Sequence, residues 1–262
     1  MTRTRRVIVC LDVDDGRVVK GVQFQSLRQL GDPADMAAGY EHAGADEMIL
    51  LDISASATGR ETQWETVRRT AERLFIPLTF GGGVRSVEDV GRALRAGADK
   101  VAVNSAAVAR PAVIGEASAW FGAQCIVASI DAKRDERTSS GWRVFVHGGR
   151  TATDLDAVAW AQECVERGAG EILLTSIDRD GERSGYDLPL TRAVASLVSV
   201  PVVASGGAGS ADHVCAVLCD GGADAALVAG IVHDGLVSVE SIKAAMAQRG
   251  LAVRHDVALG VA

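Results

Sequence analysis

Shifted by about half its length, the chain matches its own sequence. GADEMILLDIS (Gly44 to Ser54) and IPLTFGGGVRS (Ile76 to Ser86) in the first half return as GAGEILLTSID (Gly168 to Asp178) and VPVVASGGAGS (Val200 to Ser210) in the second. The register is fixed, because Glu171 follows Glu47 and Gly206 follows Gly82 by the same 124 positions (171 − 47 and 206 − 82). Gly97-Ala98-Asp99 recurs as Gly222-Ala223-Asp224, and Asp12, which ends the first apolar run, recurs as Asp131 after CIVASI. A two-fold repeat of this kind points to a closed, pseudo-symmetric scaffold whose functional residues come in pairs.

Short β-branched runs alternate with amphipathic stretches, the pattern of repeated βα units with parallel strands. Eight strands are expected, beginning near Arg6, Glu47, Pro77, Lys100, Cys125, Glu171, Pro201 and Ala225. The helical stretches DPADMAAGYEHAG, SVEDVGRALRAG and DLDAVAWAQECVERG open on Asp or Ser and close on Gly, which are cap signals at both ends. A length of 262 residues suits one (β/α)8 TIM barrel better than two small domains. With 48% hydrophobic but only 4% aromatic residues, Val, Ile, Leu and Ala must fill its interior. The expected organisation is one barrel over residues 1–262, with half-barrels of about 1–122 and 123–254 and a tail at 255–262. Its active site belongs at the C-terminal ends of the strands.

A net charge of −7 argues against nucleic acid as a partner, since phosphate neutralisation needs clustered Lys and Arg. The apolar run VIVCL is too short for a signal peptide, and no stretch approaches the ~18 apolar residues of a membrane span. Five scattered cysteines, an odd number, suit a reducing cytoplasm. Cys215 and Cys219 are spaced for one helix face, but no second Cys or His pair completes a metal site, so helix packing accounts for them and neither metal nor cofactor is expected.

Two connections, Val13 to Gly31 and Ala132 to Thr153, greatly exceed the two to six residues usual for such loops and read as segments that cover a substrate. They follow Asp12 and Asp131. In a barrel, strands one and five are diametrically opposed, so these carboxyls face each other across the mouth, as general acid–base chemistry requires. Gly81-Gly82-Gly83 and Ser205-Gly206-Gly207 each end a strand ahead of a helix beginning at Ser86 or Ser210. Exposed amides there form an anion nest reinforced by the helix N-terminus. The small-residue turns Asn104-Ser105 and Ala229-Gly230 end the next strands and can close over the same anions. A substrate with phosphate at both ends is implied. At the opposite pole Arg6, Glu47, Lys100 and Glu171 open strands with charge, and can form a ring of ion pairs that serves stability or function equally well on physics alone.

CLDVDDGRVVKG (Cys10 to Gly21), GGGVRS, GADKVAVNSAAV (Gly97 to Val108), SIDAKR (Ser129 to Arg134), GAGEILLTSIDRDG (Gly168 to Gly181) and ASGGAG (Ala204 to Gly209) together resemble the cyclase subunits of imidazole glycerol phosphate synthase, from about Arg5 to Arg254. The resemblance implies that a partner glutamine amidotransferase supplies ammonia, which crosses the barrel and attacks a bisphosphorylated formimino-aminoimidazole carboxamide ribulotide. The products are imidazole glycerol phosphate, for histidine synthesis, and aminoimidazole carboxamide ribotide. It further implies that Asp12 and Asp131 are the acid–base pair and that Lys20 helps hold the substrate. One phosphate would rest on Gly82, Gly83, Asn104 and Ser105, the other on Thr175, Asp180, Gly181, Gly206, Gly207, Ala229 and Gly230. Arg6, Glu47, Lys100 and Glu171 match the family's ammonia gate, with Asp99 near the docking face. The chain departs from the family at Gly230, where Ser is usual, at Asp154, where Gly is usual, and in IVHDGL, which lacks the usual Phe after His233. Two other readings stand beside this one: the related isomerase that acts on the preceding ribotide without ammonia, and a catalytically silent phosphosugar-binding barrel.

Overall fold

In the computed structural model, which describes residues 4–22, 25–53 and 64–254, eight parallel strands close on themselves. Numbered in chain order, they are β1 (Arg6–Asp14), β4 (Glu47–Asp52), β5 (Leu78–Gly81), β6 (Lys100–Val103), β7 (Ile126–Arg134), β10 (Glu171–Ser176), β11 (Val202–Ser205) and β12 (Ala225–Val228). Each begins within one residue of its expected start. β1 pairs with β4 and β12, and β10 pairs with both β11 and β7, so the ladder runs round a full circle. Helices such as Pro33–His42, Val87–Arg95 and Ala211–Cys219 cover its outside, capped by Asp32, Ser86 and Ser210. This is the (β/α)8 barrel.

The two long connections are a correction to the sequence reading, because they are largely antiparallel hairpins rather than loops. β2 (Arg17–Val22) and β3 (Gln25–Gly31) fill the first, and β8 (Trp142–Val146) and β9 (Thr151–Asp156) the second. β1 runs past the barrel rim and folds onto β2, pairing Asp12 with Val19 and Asp14 with Arg17. β7 does the same with β8, pairing Asp131 with Phe145. The cause is local: Asp15 and Gly16 take φ of 49° and 71°, the tight-turn conformation that an Asp-Gly step favours between strands. WRVFV alternates buried and half-buried residues as a strand does. The helix after this hairpin is capped by Asp156, not by Asp154, with amides of Val158 and Ala159 donating to its carboxylate at 3.0 Å each. The 255–262 tail lies outside the described residues.

Strand side chains alternate between faces. Ile8, Cys10, Ile49, Ala102, Val127, Leu173, Val203, Ala225 and Leu227 therefore form a slender core inside the barrel, while Val7, Val9, Leu11 and their counterparts pack outward under the helices. The Gly-Ala-Asp repeats brace the lower rim. Asp46 accepts a hydrogen bond from the Val7 amide (2.8 Å), Asp99 from Leu78 (2.8 Å) and Asp224 from Val202 (3.1 Å). The fourth copy is Gly170, where a β-carbon would stand 2.2 Å from the Ala123 carbonyl oxygen. The missing Asp is thus a packing requirement of that corner.

Candidate active site

The two glycine cradles repeat in backbone torsion as they do in sequence. Gly82 and Gly83 have φ of 92° and 68°, Gly206 and Gly207 of 89° and 104°. A β-carbon on Gly82 would stand 2.1 Å from the Asp52 carbonyl oxygen, and one on Gly207 would stand 2.3 Å from that of Gly185. Only glycine fits these turns. Beyond them Ser86 accepts from the Asp89 amide (3.3 Å) and Ser210 from His213 (3.2 Å), which sets each following helix in the same attitude. Asn104 (φ −118°, ψ −89°) and Ala229 (φ −141°, ψ −82°) share an unusual conformation, leading into short helices that start at Ser105 and Gly230. Each half therefore offers a glycine turn, a helix start and a second helix start at neighbouring strand ends, a set of free amides suited to an oxyanion.

Between the cradles stand the acids. Four strand steps separate β1 from β7 in either direction round the barrel, which sets Asp12 and Asp131 on opposite walls. Both carboxyls are partly open to the mouth. Burial pushes Asp12 up to about 7, with the Asp180 charge adding to the rise and the Cys10 thiol, donating across 3.7 Å, offsetting part of it. Burial pushes Asp131 up to about 7 as well; the Asn104 amide, donating at 2.9 Å, opposes this and Asp180 reinforces it. Asp180 is itself raised by burial, against a hydrogen bond from the Gly181 amide. Near neutral pH each of the opposed acids is divided between its protonated and ionised forms, so each can give or take a proton.

At the other end of the same inner face, Arg6, Glu47, Lys100 and Glu171 close into a ring. Arg6 donates to Glu47 at 2.6 Å and to Glu171 at 2.7 Å, and Lys100 donates to the remaining oxygens of the same two carboxylates at 2.9 and 2.8 Å. Burial alone would depress Arg6, but Glu171 and Glu47 outweigh it and hold the guanidinium above its ordinary value. Since Arg6, Ile8, Cys10 and Asp12 point the same way along β1, the ring lies about 20 Å below the acids, six residues of strand rise. The side chains between are mostly apolar.

The structure brings together nearly everything the sequence singled out. Thr175 lies in register with Asp131 and beside Ser205, and Lys20 reaches the Gly230 carbonyl at 3.4 Å. Ser105 accepts from the His147 amide at 3.0 Å, tying the first cradle to the second hairpin. Two expected phosphate contacts have a further engagement: Asn104 bonds Asp131, and Asp180 acts on both opposed acids. Sequence reasoning missed Arg183 and marked Asp234 only as the residue that stands where the family usually has Phe; both meet Lys20 beside Gly230. It also missed Tyr40, whose hydroxyl lies 2.6 Å from His233 Nδ1, while His233 Nε2 lies 3.0 Å from the Cys10 carbonyl oxygen. These partners lie at positions remote in sequence, with no motif to join them.

The model of the family described as histidine biosynthesis protein matches residues 6–238. A protein of Myxococcus xanthus named imidazole glycerol phosphate synthase subunit HisF is 68% identical over 96% of this chain and 98% of its own length. Proteins of the same name from Anoxybacillus flavithermus and Metallosphaera sedula are each 57% identical over 96% of this chain and 99% of their own.

Proposed function

The chain belongs to the histidine biosynthesis protein family, as a cyclase subunit of imidazole glycerol phosphate synthase, and from that premise we propose which of its residues perform the reaction and how. The substrate, the bisphosphorylated formimino-aminoimidazole carboxamide ribulotide, spans the mouth with one phosphate on Gly82, Gly83 and Ser105. The other phosphate rests on Gly181, Gly206, Gly207, Ala229 and Gly230, under Lys20. The span holds the reacting carbons between Asp12 and Asp131. One acid takes a proton from the attacking ammonia while the other protonates the departing oxygen. At ring closure the same pair serves again, and the protonated amine leaves as aminoimidazole carboxamide ribotide. The observation that carries this reading is the pair of opposed carboxyls, both raised to about 7, between two anion cradles of matching backbone.

A source that delivers ammonia within protein is needed, because little of the bulk pool is unprotonated near neutral pH. We assign its entry to the Arg6, Glu47, Lys100 and Glu171 ring and the docking of a glutamine amidotransferase to the face outside that ring. Three of the four large hydrophobic residues that stand exposed among the described residues, Phe75, Trp120 and Leu197, lie on segments that lead into β5, β7 and β11 on this face, and Phe75 is 94% exposed. Beside Phe75 a shallow groove of about 290 Å³ reaches Pro77 and Asp99. Phe75→Asp is expected to weaken association with the cognate amidotransferase in calorimetry and to spare ammonium-driven turnover. The five cysteines are all unpaired, and no described helix is long and apolar enough to cross a membrane, which suits a cytoplasmic enzyme.

The deciding assay is product formation from the bisphosphate with high ammonium at alkaline pH and no partner. Turnover is expected. No turnover, or rearrangement of the preceding ribotide instead, overturns the reading.

A further inference from the structure

The second cradle carries more positive charge than the ion pairs around it neutralise. Lys20, on β2, and Arg183, in the connection after β10, both donate to the Asp234 carboxylate. Arg28, on β3, lies 3.8 Å from its other oxygen. Three cations thus gather on one carboxylate, which leaves a surplus of two charges in this cluster among the described residues. The surplus is aimed at the cradle: Lys20 Nζ and Arg183 Nη2 stand 3.5 and 4.0 Å from where a β-carbon of Gly230 would be. Arg183 holds this place at a φ of 55°, a left-handed conformation uncommon outside glycine and kept where the surroundings require it.

We propose that Arg183 is a second cationic ligand for the phosphate in the Gly207–Gly230 cradle, and that Asp234 is the counter-anion which this phosphate displaces. The inference rests on the functional reading above. A phosphate monoester brings about two negative charges against the single charge of Asp234, and so neutralises more of the three cations than the carboxylate it displaces. The guanidinium adds paired donors in one plane, where Lys20 supplies a point charge. Until phosphate binds, Asp234 keeps the cations assembled beside the cradle.

Arg183 and Asp234 lie at the surface, so variants test the exchange without threatening the core. Two measurements on the full-length chain are needed: ammonium-driven turnover of the bisphosphate, and the rise in Tm caused by inorganic phosphate alone. Arg183→Met is expected to raise KM and the inhibition constant of inorganic phosphate on the order of tenfold, the scale of one charge-assisted hydrogen bond, with kcat little changed. Arg183→Lys should recover part of this. Asp234→Asn is expected to lower both constants several-fold and enlarge the phosphate-induced rise in Tm. Unchanged constants in Arg183→Met would remove that residue from the site. Raised constants in Asp234→Asn would show that the carboxylate positions the cations instead of competing with phosphate, and would end the exchange. Absence of turnover in the parent protein sinks the functional reading instead, while the Tm shifts with phosphate still decide the exchange.

Discussion

The two ends of the barrel's inner face carry charge in opposite conditions. At the strand starts, two cations and two carboxylates satisfy one another through four contacts of 2.6 to 2.9 Å. At the strand ends, Asp12, Asp131 and Asp180 gather without a described cation bonded to any of them, and the pKa of each is raised. The same strands and the same alternation build both ends. What differs is whether opposite charge is provided, and on the proposed reading that difference divides their work: a balanced ring holds shape and can regulate passage, whereas unbalanced acids hold protons loosely enough to trade them.

The largest effect should come from the unbalanced end. Asp12→Asn and Asp131→Asn are each expected to lower ammonium-driven turnover by at least ~10²-fold, the scale of losing one proton-transfer group, with substrate affinity little changed because neither acid holds phosphate. Near-normal kcat in either variant, measured at saturating substrate, would break the pairing of the two acids.

Next comes the balanced end. Lys100→Met keeps bulk and removes two ring contacts, leaving Glu47 and Glu171 to share Arg6 alone. Loss of one partner from a buried ion pair costs several kcal/mol unless the stranded carboxylate protonates or rehydrates, so the ring should rearrange or leak. Ammonium-driven turnover should survive, since bulk ammonia reaches the mouth from solvent. Product formed per glutamine consumed in the complex should fall several-fold. Equal loss of both activities, or of neither, makes the ring a brace and nothing more.

A smaller change is expected at the cradles, where glycine alone fits. A β-carbon at Gly207 would meet the Gly185 carbonyl oxygen at 2.3 Å, in a backbone conformation that side chains rarely adopt. Gly207→Ala should therefore cost about 1–3 kcal/mol of stability, the range for such local strain. It should raise KM roughly tenfold by displacing one cradle amide, read from urea unfolding and steady-state kinetics on the same preparation. An unchanged KM would move the second phosphate elsewhere.

How far the sequence showed this contrast depends on the range of the signal. The eight barrel strands were legible because each is a short apolar run set off from the next by an amphipathic stretch, several of which open on Asp or Ser and close on Gly, and the four ring residues because charge interrupts those runs at their first positions. The hairpins were read as loops although Asp15-Gly16 marks the first of them. Their pairing extends β1 and β7 beyond the barrel, and length alone does not separate a folded ribbon from a covering loop. The acids were legible as positions, but their protonation was not. Cys10 is two residues from Asp12, while Asn104 and Asp180 reach Asp131 from the connections after β6 and β10. The grouping of Lys20, Arg183 and Asp234 joins a hairpin, a connection and a helix end, which no spacing in the chain foretells.

The smallest effect sharpens the comparison through stability. An Asp whose folded pKa lies near 7 against an ordinary 3.8 favours the folded state when protonated; its contribution is complete below the unfolded value and is lost as pH rises through the folded one. The mouth therefore costs stability between about pH 4 and pH 7, and the cost persists above. Asn cannot ionise and escapes it. Asp131→Asn keeps a partner for Asn104 and should be more stable than the parent at pH 8 by about 1–3 kcal/mol, after allowance for solvent reaching a partly open carboxyl. That corresponds to a Tm higher by several degrees. The advantage should shrink on acidification and vanish near pH 4, where the parent's own carboxyl is protonated. A loss of function joined to a gain in stability at high pH is the signature of a charge kept for chemistry. If instead the variant is less stable than the parent at pH 8, Asp131 is held by favourable partners like the ring below it, and the contrast between the two ends disappears.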